Sequence, residues 1–90
     1  MALDLSPPEL GKFISAYKAL DFIESGMKLG LGTGSTAAWL VKLLAYEINN
    51  NGLVISACAT SSETTKLAES LDIKIFQLDE LGQLDLAIDG

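Results

Sequence analysis

The feature that most constrains the fold is a glycine-rich loop between two apolar stretches of different length. The loop has the sequence GLGTGST over residues 30–36. It ends a short apolar run, 27–31, and precedes a longer apolar segment from Ala37 to Ile48. A five-residue run suits a buried strand, whereas the longer segment has the length and spacing of a helix. A tight glycine turn from strand to helix is typical of sheets built from alternating strands and helices.

The same alternation continues along the chain. Ser6, Pro7 and Glu9 form a capping-box pattern before a helical repeat that Gly26 should end. Ser35 or Thr36 is expected to cap the second helix, which the asparagine run before Gly52 should stop. A second capping box is predicted from Thr60 to Glu63. The predicted elements are a helix over about 7–25, a strand over 27–31, the second helix, a strand over 53–59, a helix over about 62–71, a strand over 73–76, a loop or helical turn over 77–83, and a strand over 84–88.

This order predicts an α/β fold. Apolar strands that alternate with helices form a Rossmann-like open, mostly parallel sheet with helices on both faces. Ninety residues make one domain at most.

Composition excludes several classes of function. The net charge is −6, and the six basic residues are scattered lysines, which argues against a nucleic-acid partner. One cysteine and no histidine exclude a disulfide framework and a Cys/His zinc site. The N-terminus lacks the pattern of a secretory signal, and no apolar stretch reaches membrane-spanning length. We therefore expect a cytoplasmic protein that contacts neither nucleic acid nor membrane.

The glycine loop has the chemistry of an anion site. The start of a helix carries unpaired N–H groups and a partial positive charge, and glycine lets the backbone approach an anion closely. The hydroxyls of Ser35 and Thr36 add donors. No acidic residue ends the second predicted strand and no Gly-Lys-Ser/Thr is present, so a nucleotide is disfavoured. A phosphate is the preferred ligand, and a tight turn without any ligand is the alternative.

Polar residues follow three of the predicted strands. They are Thr33 to Thr36, Thr60 to Thr64, and Asp89. Because the carboxyl ends of parallel strands meet at one edge of a sheet, where ligands bind, we expect these groups to lie together. A phosphate loop opposite a carboxylate suits a small phosphorylated polyol. Asp89 could equally be a turn residue before Gly90.

Three ordered blocks resemble one known family. They are LGLGTGST over 29–36, TSSETT over 60–65 followed by Ala68 and the Leu-Asp-Ile of 71–73, and LDLAIDG over 84–90. In this order and spacing they resemble the ribose-5-phosphate isomerases of the A type, and the resemblance implies that residues 1–90 are the N-terminal part of such an α/β domain. Lys12 also lies in the first helix, where members of the family commonly carry a lysine.

The resemblance implies that ribose 5-phosphate and ribulose 5-phosphate are interconverted by proton transfer between C1 and C2, through an enediolate. It implies no metal or nucleotide cofactor, a small phosphosugar as the partner, and a homo-oligomer, dimer or tetramer. The family's general base is a glutamate beyond the position of Gly90, so no catalytic residue is expected here and the 90-residue piece should be inactive. The substrate-binding residues that it implies are Lys12, Thr33, Gly34, Ser35, Thr36, Asp89 and Gly90.

Other interpretations stay open at this point. A sugar-phosphate-sensing regulatory domain of related fold would carry a similar loop, and a structural domain could carry it empty. Cys58 is predicted to be a small core residue, and Trp39 and Tyr46 are predicted to lie in the core or at a subunit interface. A parallel sheet that ends with the fourth strand would leave an open edge, so self-association is also expected.

Overall fold

A computed structural model describes residues 5–88, and it contains a four-stranded sheet with helices packed against it. The predicted α/β class is confirmed. The elements are, in chain order, α1 (Pro7–Ala19), a 3₁₀ turn (Leu20–Phe22), β1 (Lys28–Leu31), α2 (Ser35–Asn51), β2 (Ser56–Ala59), α3 (Ser62–Ser70), β3 (Ile75–Phe76), α4 (Leu78–Leu81) and β4 (Leu86–Ile88).

All three strand pairings are parallel, in the order β3-β2-β1-β4. β1 lies inside the sheet, where Gly30 is level with Cys58 of β2 and with Ala87 of β4. Because every strand runs in the same direction, the turns that follow β1 and β2 emerge at one edge. This is the edge at which the sequence places the polar segments.

The main core lies between α2 and one face of the sheet. Its largest fully buried side chains come from β1 and α2, and they are Leu29, Leu31, Leu40, Val41 and Leu44. Successive strand residues point to opposite faces, so Gly30 and Cys58 face the other side. There the buried Cys58 and Leu81 stand outside the main cluster, beside the connection that carries the short α4. Helices therefore cover both faces, as predicted, but unequally.

The first helix is shorter than predicted. It ends at Ala19, tightens into the 3₁₀ turn, and becomes extended at Ile23, whose φ and ψ are −104° and 125°. Ile23 is buried in the core all the same. An extended segment therefore continues the apolar spacing of the helix, which is why the pattern predicted helix as far as residue 25.

The strands are also shorter than their apolar runs. Residues 53–55 precede β2 but bond to the turn before β1, since Gly26 N–H donates to Val54 O and Val54 N–H donates to Ser25 Oγ. Ile73 lies before β3 because its N–H closes the end of α3 on Ala68 O. Leu53, Ile55 and Ile73 pack in or against the core although they do not join the sheet, whereas Val54 is exposed.

The fourth strand begins two residues later than predicted, because Asp85 lies just before it and makes two hydrogen bonds to the first residue of β1. Its N–H donates to Lys28 O at 2.8 Å, and its Oδ2 accepts from Lys28 N–H at 2.8 Å. This pair of bonds fixes the start of β4 beside the start of β1. Within residues 5–88, no helix is both long and apolar enough to cross a membrane.

Candidate functional site

The turn from β1 into α2 has no side-chain cap. Gly34 is the N-cap residue, with φ of 97° and ψ of 180°, a conformation open almost only to glycine. The prediction that Ser35 or Thr36 caps this helix is wrong, because Ser35 already lies inside the helix at its first position. Ser35 and Thr36 are half-buried, and neither hydroxyl caps the helix.

The first turn of α2 therefore presents free donors. The first backbone bond of the helix is donated by Ala38 N–H to Gly34 O at 3.1 Å. Among residues 5–88, no acceptor is found for the N–H groups of Ser35, Thr36 and Ala37. Such groups, at the positive end of a 17-residue helix, are the ordinary partners of an anion.

Lys12 reaches the same turn from α1. Its Nζ donates to Ser35 Oγ at 3.2 Å, across 23 residues of sequence. The lysine is half-buried and lies where its ammonium adds positive charge to the end of α2. The structure thus brings this sequence-predicted residue to the glycine loop.

The turn after β2 braces the glycine loop. Thr60 N–H donates to Leu31 O at 3.0 Å, and the buried Thr64 Oγ1 donates to Gly32 O at 2.9 Å. The cap of α3 is Ser61, whose Oγ accepts from Thr64 N–H, so the predicted capping box from Thr60 to Glu63 is wrong. These bonds fix the loop backbone on one side.

The end of β4 supports the other side of the loop. Gly32 N–H donates to Ile88 O at 2.7 Å, which holds the last described residue beside the loop. Asp89 and Gly90, the other predicted substrate-binding residues, lie outside the described residues. Below the loop, a Cβ on Gly30 would stand 2.7 Å from Leu84 Cδ1, so glycine permits the close approach of that side chain.

A cleft of about 380 Å³ opens beside the loop. Its lining residues come from the two turns and the helices that they start, and they are Thr33, Gly34, Ser35, Ala38, Glu63, Thr64 and Leu67. Glu63 is exposed and is the acidic group of this lining. Its carboxylate can accept hydrogen bonds from hydroxyl groups, and it repels an anion that comes close to it.

Some site residues were not found by sequence reasoning. The sequence places Glu63 in a capping box and in the polar segment 60–64 after β2 but gives it no ligand role, although its position after a strand is the signal that it belongs to the cleft. Trp39 packs half-buried against the core, in agreement with the expectation, and its Nε1 also donates to Glu9 Oε1 at 2.6 Å. Within the described range, no group of three or more His, Cys, Asp or Glu is placed to hold a metal ion.

The sequence of the chain is similar to that of curated ribose-5-phosphate isomerases A. It is 50% identical over all 90 residues to one from Cereibacter sphaeroides, of which it covers 36%, and 49% identical over 90 residues to one from Roseobacter denitrificans, of which it covers 34%. The chain thus spans about a third of the length of these relatives. No protein-family model matches it.

Solved structures agree in fold with the chain. A D-ribose-5-phosphate isomerase in complex with phospho-erythronic acid is 42% identical, with a TM-score of 0.86 over 91% of this chain and 36% of its own. Ribose 5-phosphate isomerase A from Methanocaldococcus jannaschii is 38% identical, with a TM-score of 0.84 over 94% of this chain and 37% of its own. By sequence along its whole length and by fold along nearly all of it, the chain is homologous to about a third of a ribose-5-phosphate isomerase A.

Proposed function

We propose that residues 1–90 form the phosphate-binding part of an isomerase that interconverts D-ribose 5-phosphate and D-ribulose 5-phosphate. The observation that carries the proposal is the uncapped start of α2, where three N–H groups without an acceptor among residues 5–88 meet the ammonium of Lys12. A phosphate there accepts from these N–H groups and from the Ser35 and Thr36 hydroxyls. The net charge of −6 makes such a local cluster of donors necessary.

The role of this site in the reaction is to hold one end of the substrate. Isomerisation moves a proton between C1 and C2 through an enediolate, at the far end of the pentose from the phosphate. Fixing the phosphate restricts where C1 and C2 lie, which lowers the entropic cost of bringing a base to them. Asp89 follows β4 in sequence and is proposed to accept hydrogen bonds from sugar hydroxyls. A relative was solved with phospho-erythronic acid, a phosphorylated sugar acid of similar size, which supports a ligand of this class.

The 90-residue chain is proposed to bind without catalysing. In the family that it resembles, the general base is a glutamate that follows the Asp-Gly block, and proton abstraction needs a base within hydrogen-bond reach of the carbon acid. Glu63 lines the phosphate cleft. It therefore lies beside the end of the substrate that does not react.

Two measurements on the 90-residue chain test this. The first is a titration with inorganic phosphate and with ribose 5-phosphate, followed by amide NMR. The signals of Ser35, Thr36 and Ala37 should shift most, and the largest shifts elsewhere would reject the site. The second is an assay of ribulose 5-phosphate formation. Turnover above background would show that the base lies within these 90 residues.

We also propose that the protein acts in the cytoplasm, where phosphorylated pentoses are found, and that it acts as a homo-oligomer. The large apolar side chains exposed on and beside α1 and α2, among them Tyr17, Phe22 and Tyr46, support a surface that a second copy covers. Light scattering coupled to size-exclusion chromatography tests the second point, and a monomer at high concentration would count against it.

A further inference from the structure

Trp39 is held by three contacts at the junction of α1 and α2. Its Nε1 donates to Glu9 Oε1 at 2.6 Å, and Phe13 meets the ring edge to face, with centroids 5.2 Å apart. Lys42 Nζ stands 4.8 Å from the centroid of the same ring. A half-buried indole with its N–H on a carboxylate is a fixed element and not a loose surface side chain.

The contact lies one helical turn from the phosphate loop on both helices. Glu9 precedes Lys12 by three residues on α1, and Ser35 precedes Trp39 by four on α2, so each pair shares one side of its helix. Two bridges therefore join the helices side by side. One runs from Glu9 to Trp39 and the other from Lys12 to Ser35.

The bridge between Glu9 and Trp39 affects the position of Lys12 in two ways. Lys12 is in the second turn of α1, and the ends of helices fray unless they are tied down. The cap of α1 is a long bond, from Glu9 N–H to Ser6 Oγ at 3.4 Å, whereas the bond from Trp39 is short. In addition, a free Glu9 carboxylate could pair with Lys12 three residues later, in competition with a phosphate.

We infer that Trp39 is a positioning residue for Lys12. By holding the Glu9 carboxylate, Trp39 anchors the first turns of α1 on α2 and leaves the Lys12 ammonium on Ser35. The inference rests on the proposed function in so far as Lys12 serves a bound phosphate. The position of Lys12 itself can be measured without any ligand.

The test uses the 90-residue chain and the variants Trp39→Phe, Glu9→Ala and Glu9→Gln. Trp39→Phe keeps an aromatic ring on Phe13 and removes the N–H, while Glu9→Gln keeps an oxygen acceptor. NMR of the lysine side chains should show Lys12 more mobile in Trp39→Phe and Glu9→Ala, and nearly as ordered as before in Glu9→Gln. Tyr46→Phe is the matched control, because it removes a polar atom from an exposed aromatic on the same helix.

Phosphate titration supplies the second readout. Trp39→Phe should weaken phosphate binding by about threefold to tenfold, the worth of one hydrogen bond. In a Lys12→Ala background it should weaken binding no further, since the effect passes through Lys12. A purely structural role would lower the melting temperature but leave this coupling absent.

The outcomes separate the two proposals. If the unaltered chain binds no phosphate, the proposed function fails, and the mobility of Lys12 still decides the role of Trp39. Lys12 signals identical in the unaltered chain, Trp39→Phe and Glu9→Ala would overturn the inference. If Trp39→Phe does not fold, the two Glu9 variants decide it, because a restored Lys12 in Glu9→Gln alone identifies the hydrogen bond as the cause.

Discussion

Two strand-to-helix turns lie side by side at the same edge of the sheet, and they differ in what occupies the start of the helix. After β1, Gly34 caps α2 with no side-chain bond. After β2, Ser61 caps α3, and its Oγ accepts from Thr64 N–H at 3.2 Å. The cap in the second turn bonds one of the first N–H groups of its helix, that of Thr64, whereas the first turn has no such bond within residues 5–88.

The difference supports the proposal that one of the two turns, and not the other, is a binding site. Both helices start after a parallel strand, so topology alone gives them the same opportunity. The choice is made by the N-cap residue. We call the turn that Ser61 caps the closed turn, and the turn that Gly34 ends the open turn. The closed turn still contributes, because Thr64 Oγ1 donates to the carbonyl of Gly32 in the open turn.

The largest expected effect comes from giving the open turn the cap of the closed one. Gly34→Ser places a side chain at φ of 97°, which costs on the order of 1–3 kcal/mol if the backbone stays. If the backbone moves to the usual cap conformation, the new hydroxyl takes one of the free N–H groups, that of Thr36 or Ala37, and blocks the approach of an anion to it. Phosphate affinity should fall at least about tenfold in either case. Urea unfolding and phosphate titration measure the two effects, and unchanged affinity would refute the role of the uncapped turn.

The next largest effect is expected from removing the brace between the two turns, which is the hydrogen bond from Thr64 Oγ1 to Gly32 O. Thr64→Val keeps the shape of the side chain and leaves the Gly32 carbonyl and the Ser61 hydroxyl without their partner. The buried position makes this cost about 1–3 kcal/mol of unfolding free energy. Thr65→Val is the matched control, because Thr65 bonds only back to Ser61 O within its own helix. Equal losses in the two variants would mean that the brace contributes nothing.

The order of the elements could be predicted from sequence because apolar periodicity carries it. Alternating short and long apolar runs gave the parallel sheet, and glycine gave the turn at residues 30–34. The boundaries were less accurate, because Ile23 and Ile73 are buried in the core without belonging to a helix or a strand.

The sequence indicates which residues form the glycine loop, but it does not indicate which of them caps α2 or which side chains from other helices reach the loop. Gly34, Ser35 and Thr36 are adjacent, and each is an acceptable N-cap, so only the backbone angles decide which residue caps. The contact between Lys12 and Ser35 depends on how α1 packs against α2, which no local pattern encodes. Glu9 and Trp39 are separated by 30 residues, and only the packed helices join them.

A smaller effect is expected from opening the closed turn. Ser61→Ala removes the cap of α3 and should cost about 1 kcal/mol, as N-cap substitutions usually do. Phosphate should bind at α2 as before, since the brace by Thr64 to Gly32 remains. Chemical denaturation gives the stability, and amide NMR shows where phosphate binds. A new phosphate site at α3 would mean that an uncapped helix start is sufficient, without the lysine that α2 receives from α1.

The smallest change in stability is expected at the first residue of the open helix. Ser35→Ala removes a hydroxyl whose partner in the described chain is Lys12, so the unfolding free energy should change by less than about 0.5 kcal/mol. Phosphate affinity should nevertheless fall by about threefold to tenfold, because one donor is lost and Lys12 loses its anchor. Ser62→Ala is the matched control, because Ser62 holds the same first position in α3. If both variants change phosphate affinity equally, the two turns are chemically alike, and the distinction between an open and a closed helix start does not determine where the anion binds.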